Sequence, residues 1–412
     1  MSGSKRASLV FIAITLFLDV VGFGLIIPVL PRLVAGFIGG DPSRGAAYFG
    51  ALSASFAAMQ FVFAPVLGGL SDRFGRRPVL LASLSGFGAS YLLMGFAPTL
   101  AWLFVARVMA GVTGASFTTA QAYIADISDV KTRAQNFGVA GAVIGLGFIT
   151  GPALGGVLGR IGPRVPFFAS AAVVGANLLY GVFVLPESLP RDRRRPFSLA
   201  RANPLGGLLG LGRYPVVARL AAAYVLISLA QRGMESVFVL YTQYRFGWQE
   251  LHNGLAMGLA GVVTVVAQGL LLRRIVRRMG ERRTAIIGLV VATAGLVCYG
   301  VAWAGPLMLG AIVVAGLGGI ASPAIQGLVS GSVAPNEQGG VQGTLVSLTS
   351  LTAIIAPLVS SQVFRHCSGA HPVLNLPGAP FFLGSLFFLG ALAVVARAFA
   401  PTPPVAPPAA PT

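Results

Sequence analysis

The sequence predicts an all-α polytopic membrane protein, with twelve transmembrane helices in two pseudo-symmetric six-helix bundles. Four observations carry this expectation. Of 412 residues, 55% are hydrophobic and only 10% are charged, against about 25% charged in ordinary soluble chains. Nearly uncharged runs of about 18 or more residues recur from end to end, each long enough to cross roughly 30 Å of hydrocarbon. The basic residues favour every second loop, and several features recur at one offset of 205 residues, as from Gly75 to Gly280. Outer-membrane barrels are excluded, because their strands are short and alternate in polarity.

Dividing the chain at loops rich in Arg, Pro or Gly gives the elements in order. The first run, 8–31, follows Lys5 and Arg6 as a signal sequence would, but continues past Pro31 without a small-residue cleavage site, so it stays as the first span. The second, 46–70, lies between Arg44 and the loop holding Arg73, Arg76 and Arg77. The third and fourth, 78–97 and 100–125, lead to Lys131 and Arg133. The fifth and sixth, 135–158 and 166–185, enclose Arg160 and Arg164. A long polar stretch from Glu187 to about Arg213 then reads as a central linker. Beyond it, runs 217–242 and 252–272 enclose Arg245, runs 284–303 and 306–331 follow the Arg273 to Arg283 loop, and runs 341–363 and 379–397 enclose Arg365. The expected units are a first bundle (1–186), a cytoplasmic linker (187–216), a second bundle (217–398) and a disordered Pro-rich tail (399–412).

The net charge of +18 raises nucleic acid as a partner, which placement excludes. Of the 29 Lys and Arg residues, 21 fall on one side of the predicted topology, six on the other (Arg32, Arg44, Arg160, Arg164, Arg245, Arg365) and two within spans. This asymmetry puts the arginine-rich loops and both termini in the cytoplasm. Cys298 lies in a span and Cys367 in an outer loop, so no disulfide framework is implied.

The repeat supports two duplicated halves. Ala110-Gly111 maps onto Ala315-Gly316, Gln121 onto Gln326, Gly138 onto Gly343, and the Gly151-Pro152 break onto Ala356-Pro357. Parallel repeats about an axis along the membrane normal, with a site between them, are a transporter architecture.

The loop after the second span reads Gly68-Gly69-Leu70-Ser71-Asp72-Arg73-Phe74-Gly75-Arg76-Arg77. Glycines permit tight turns, and one acid among arginines can clamp helices together; the arginines also serve as a positive-inside anchor. In the fifth span, Gly147, Gly151, Pro152, Gly155 and Gly156 place small residues on one face beside a helix-bending proline. The loop resembles the signature of the major facilitator superfamily, G-x-L-x-D-R-x-G-R-R, and the fifth-span string resembles the motif of its antiporters. Leu18-Asp19-x-x-Gly22, Pro28 to Pro31, Met59-Gln60-Phe61, Arg107 to Gly114 and Ala122 to Asp126 narrow the resemblance to the tetracycline/proton antiporters of the twelve-span drug/proton family. The resemblance implies that Gly68, Asp72, Arg73, Gly75, Arg76, Arg77 and Asp126 form a gating cluster between the halves on the inner side. Three positions depart from that family: Ser90, Thr264 and Ala292 stand where its pattern has two carboxylates and a histidine. The scaffold is thus expected to carry over more firmly than a metal-chelated cargo.

Only two acids, Asp19 and Glu235, fall well inside the predicted spans. Ionisable groups at membrane depth are costly and mark functional sites. Burial favours the neutral form of a carboxyl, and a nearby arginine opposes that. Asp19, Glu235 and the two arginines expected to be buried, Arg107 and Arg232, are the proton-coupling candidates; a purely structural ion pair or hydrogen-bond hub is the other reading. The span glutamines Gln60, Gln121, Gln231, Gln268 and Gln326 either hydrogen-bond a substrate or join helices. Phe23, Phe56, Phe238 and Tyr241 suit an apolar cargo or simply pack.

The expected function is a secondary antiporter of the inner (plasma) membrane, a monomer in the lipid bilayer. It exports an amphipathic, drug-like and tetracycline-like small molecule against protons by alternating access, with no cofactor and no metal. A transporter of a sugar, metabolite or glycolipid on the same scaffold is the alternative. An intramembrane enzyme would need a metal motif or a nucleophile with its base inside the spans, and His252, His366 and His371 all map to loops.

Overall fold

The structure, a computed structural model, describes residues 3–39, 42–114, 116–129, 132–194, 196–197, 215–333, 338–368 and 374–398. Most of the expected linker (198–214), the tail from 399, Lys131, Arg195, Arg201 and His371 lie outside these residues. Among the described residues there is no strand.

Among the described residues, eleven helices are long and apolar enough to cross a membrane. One of them, Glu250–Val301, has 52 residues; at 1.5 Å per residue it is about 78 Å long, more than two bilayer cores. Its backbone turns at Gly280, where φ is 77°. An L side chain rarely adopts that conformation, so glycine makes the corner. The single helix therefore counts as the eighth and ninth spans, and the total is twelve.

Several spans are interrupted. The first comprises Gly3–Ile26 and Leu30–Phe37, parted at Pro28, which cannot donate to the helix ladder. The fourth comprises Leu100–Thr113 and Ser116–Ile127, the tenth Gly305–Gly318 and Ala321–Gly331. The second (Pro42–Phe74), fifth (Arg133–Gly159) and eleventh (Gln338–Cys367) carry Pro65, Pro152 and Pro357 inside the helix. The third (Arg76–Phe96), sixth (Val165–Phe183), seventh (Pro215–Phe246) and twelfth (Ala379–Ala398) are uninterrupted. His252 and His366 lie in helices rather than loops, and Cys367 is the last residue of the eleventh span, because these helices extend beyond their apolar cores.

The 205-residue repeat is physical. Gly75 and Gly280 both have positive φ, 108° and 77°. The fourth and tenth spans break at Gly114 and Gly319, and each break frees a carbonyl that a glutamine from another span satisfies. Gln60 Nε2 donates to Gly114 O at 3.1 Å, and Gln268 Nε2 to Gly319 O at 3.2 Å. An unpaired carbonyl at membrane depth is costly, which gives both glutamines a structural use. Gln268 sits in the π-helical turn Val266–Leu271, whose wider winding resets the register of the eighth span.

The halves meet where the second span packs on the eleventh and the fifth on the eighth. At the end remote from the arginine loops these crossings are tight. A Cβ on Gly50 would overlap Ser361 and approach Pro357 O, and one on Gly156 would lie 2.5 Å from Glu250 O and 3.1 Å from Gly254 Cα. At the arginine-rich ends, a Cβ on Gly138, Gly141, Gly269 or Gly343 would meet nothing within 4 Å. The cleft between the halves is closed at one end and open at the arginine-rich end.

Candidate functional site

On the first half, polar and aromatic groups gather at the break in the fourth span. Ser116, which opens its second segment, donates Oγ to Asp19 Oδ2 at 2.6 Å. Asp19 is half-buried and has no cation paired with it among the described residues. The Arg107 guanidinium instead lies over the Phe56 ring, 4.5 Å from its centroid. It is buried, and its Nε has no hydrogen-bond partner among the described residues. Phe23 stands between Phe56 and Phe148, with ring centroids 6.2 and 6.5 Å away. Tyr91, fully buried, lies within electrostatic reach of both Asp19 and Arg107. The structure thus brings together Asp19, Phe23, Phe56, Gln60 and Arg107, and adds Ser116, Phe148 and Tyr91. Gln121, farther along the fourth span, is exposed.

On the second half, Arg232 NH1 meets Glu235 Oε2 at 3.2 Å, with side chains 57% and 49% exposed. This corrects the expectation that Arg232 is buried. The opposite side of the seventh span is the packed one, with Gly233 against Ser360 and Ala230 against Gly384. Gln231 and the pair lie on the side where Tyr224 meets Gln326 of the tenth span. Phe238 and Tyr241 are corrected too. Both are buried; Tyr241 donates its hydroxyl to Tyr299 O at 2.9 Å and packs edge-on against Phe381, so neither ring is free for a cargo.

The signature loop forms a compact cluster. Arg76 reaches Asp72 at 2.5 Å, Asp126 at 2.9 Å and Ser71 Oγ at 2.7 Å. Glu187 caps the third span, accepting the Arg76 and Arg77 backbone N–H groups at 2.9 and 3.2 Å. Arg77 donates to the carbonyls of Gly181 and Val182 at the end of the sixth span, and Arg73 lies over Phe74. All these partners belong to the first half except Glu187, which directly follows its sixth span. Since the cleft is open at this end, the expected bridge between halves is absent among the described residues in this conformation, and the cluster ties the second, third, fourth and sixth spans together.

The fifth-span motif divides its faces between two neighbours. Cβ atoms on Gly147, Gly151 and Gly155 would strike Val20, Gly24 and Leu25 of the first span, Gly156 meets the eighth, and Pro152 touches both, its ring beside Gly24 and its carbonyl beside Gly254. Two of the three departures, Ser90 and Ala292, are buried packing positions, and Thr264 is exposed. Ser90 bonds Phe87 O, Thr264 bonds Ala260 O of its own helix, and Ala292 is buried against Gly318, where a Cβ on the glycine would strike it. Among the described residues, no three His, Cys, Asp or Glu side chains converge as a metal site requires.

Comparison with known proteins accords with this architecture. The family model described as Major Facilitator Superfamily matches residues 12–304 and 269–412. The chain is 37% identical over 390 residues to the tetracycline resistance protein, class C, of Escherichia coli, covering 95% of this chain and 96% of that protein. It is 36% identical to the class G tetracycline resistance protein of Vibrio anguillarum over 96% of this chain and 98% of that one. Among solved structures it is similar to the human organic anion transporter MFSD10, at 26% identity and a TM-score of 0.71, over 95% of this chain and 99% of that one. With twelve spans in repeated halves, a polar site at a broken helix and a cleft open at one end, the chain belongs to the Major Facilitator Superfamily and is a membrane transporter.

Proposed function

We propose that this transporter is a proton-driven antiporter that exports amphipathic, drug-like molecules, tetracycline-like ones among them, across the inner membrane as a monomer. Its arginine-rich side faces the cytoplasm, which makes the conformation described above inward-open. The observation that carries the reading is Asp19, an acid at membrane depth whose single hydrogen-bond partner among the described residues is the neutral Ser116 hydroxyl. A carboxyl held by a counter-ion keeps its charge, whereas one held by a hydroxyl exchanges a proton as its surroundings change from wet to closed. Ser116 begins the segment after the fourth-span break, so gain or loss of that proton acts directly on a helix joint. The names of the curated relatives support the cargo class. Asp19→Asn keeps volume and removes the titratable group. In proteoliposomes under an imposed pH gradient, this variant is expected to lose drug accumulation while remaining folded and inserted. Undiminished gradient-driven transport by Asp19→Asn would overturn the proposal.

A further inference from the structure

We propose that an arginine stripe on the eighth span is an anion-receiving site at the open mouth of the cleft, and that it favours amphipathic organic anions as cargo. This rests on the export function proposed above. Leu270, Arg273, Arg274, Arg277 and Arg278 line an open groove of about 420 Å³. Their spacing of three and four residues puts them along one side of the helix. All four arginines are exposed, and none has a hydrogen bond or an ion pair with a described residue. Glu281, close by in sequence, is turned toward Gly327 of the tenth span.

The direction of the stripe follows from its neighbours. One turn toward the closed end, Val265 faces Gly145 of the fifth span, 3.6 Å from where a Cβ would stand. Gln268 points the other way, to Gly319 of its own half. Past the π turn, Arg273 and Arg277 continue the line of Val265, so they border the gap that separates the fifth and eighth spans at the open end. Gly138 and Gly141, on the fifth span's side of that gap, bring no acid to them.

A topological anchor alone does not account for this placement. The repeat equivalents in the first half, 205 residues earlier, are Gly68, Gly69, Asp72 and Arg73, one acid and one base in place of four bases. Like charges four apart on a helix repel, as Arg273 with Arg277 and Arg274 with Arg278 must. An anion between them removes the repulsion and gains charge-assisted, bidentate hydrogen bonds. Leu270 and Val266, 69% and 38% exposed, offer apolar surface beside the guanidinium groups. A carboxylate or sulfonate on a hydrophobic body matches both features at once. An anionic lipid phosphate shares the chemistry, and the test separates the two sources.

The test uses the full chain in nanodiscs of uncharged phosphatidylcholine, with two fluorescent probes of similar shape: anilinonaphthalene sulfonate and its uncharged analogue phenylnaphthylamine. Neutralising the stripe by Arg273→Gln, Arg274→Gln, Arg277→Gln and Arg278→Gln together is expected to weaken sulfonate binding about tenfold or more, and to leave the amine's affinity unchanged. The four-fold Lys variant, which keeps the charge, is expected to retain most of the sulfonate affinity and serves as the folding control. Equal loss of both probes, or no loss of either, overturns the proposal. So does unchanged sulfonate affinity accompanied by loss of thermal stabilisation by phosphatidylglycerol, which would make the stripe a lipid site. Gradient-driven accumulation of an uncharged drug by the Gln variant separates the outcomes: if it persists, only the anion preference is on trial; if it is absent in the unsubstituted protein too, the export function itself fails.

Discussion

The Arg32 guanidinium meets the Glu250 carboxylate at 2.9 Å, joining the first half of the protein to the second at the closed end of the cleft. Glu250 is 3% exposed and Arg32 52%, so the two partners contribute unequally. Removing Arg32 leaves a buried carboxylate unpaired in the closed state, a larger penalty than removing the carboxylate itself. Arg32→Gln is therefore expected to open this end, shifting the ratio of states by about fivefold, roughly 1 kcal/mol, with Glu250→Gln shifting it less. Spin labels on Tyr48→Cys and Arg365→Cys, in a background without Cys298 and Cys367, report the opening as a longer distance. A distance distribution in both variants unchanged from that of the protein retaining Arg32 and Glu250 would show that the pair is no latch.

The crossing of the fifth and eighth spans gives a steric counterpart. A methyl on Gly156 would press on the backbone of Glu250 and Gly254, and backbone cannot rotate away as a side chain can. Gly156→Ala is thus expected to hold the closed end apart and to reduce transport strongly in protein that still inserts and elutes as a monodisperse species. Gly138→Ala, whose Cβ meets nothing in this conformation, tests whether small volume changes in the same helix matter by themselves. Equal transport by the two variants would remove the crossing from the gating argument.

What the sequence shows and hides follows from the kind of signal involved. Spans are legible because each needs about 20 apolar residues, and an acid such as Asp19 stands out against that background. Positive φ at Gly75 and Gly280 is foreshadowed by their shared register in the repeat. Rotation of an individual helix is not legible: the seventh span is apolar on most sides, so no moment separates the buried Phe238 and Tyr241 from the exposed Gln231. Arg232 lies at membrane depth yet half-exposed, because depth in the bilayer and burial in protein differ wherever a cleft opens. Partners far apart in sequence leave no local pattern either. Ser116 is 97 residues from Asp19, Glu250 is 218 from Arg32, and Glu187 reads as linker though it caps a helix 111 residues earlier.

The signature-loop cluster separates stability from gating. Arg76 is 11% exposed and holds Asp126, itself 22% exposed, together with Asp72, which is 45% exposed. Arg76→Gln strands Asp126 and is expected to cost about 3 kcal/mol, seen as a clearly lowered apparent melting temperature in detergent. Asp72→Asn removes only a screened contact, about 1 kcal/mol or less, so its effect belongs to the conformational balance, as increased cysteine accessibility of the arginine-rich mouth. Equal thermal destabilisation by both variants would mean that Asp72 is as structural as Arg76.

Arg232 and Glu235 pose the last question, whether a pair three residues apart in the seventh span is scaffold or switch. Their exposure decides how the test is read. An ion pair open to water on both sides contributes little to folding, about 0 to 1 kcal/mol, so Glu235→Gln is expected to leave the melting temperature nearly unchanged. A switch needs a carboxylate whose partner can be taken away, and Arg232, facing the cleft beside Gln231, is placed where an anionic group on the cargo would compete for it. Cargo bound to Arg232 takes that guanidinium away from Glu235, and departure of the cargo lets the pair reform. Glu235→Gln should therefore keep cargo binding and exchange while losing accumulation driven by a pH gradient. The double variant Arg232→Met/Glu235→Gln should lose both accumulation and preference for anionic cargo. Full gradient-driven transport by the double variant would leave the pair no part in coupling, and Asp19 would then be the remaining proton-coupling carboxylate proposed within the spans.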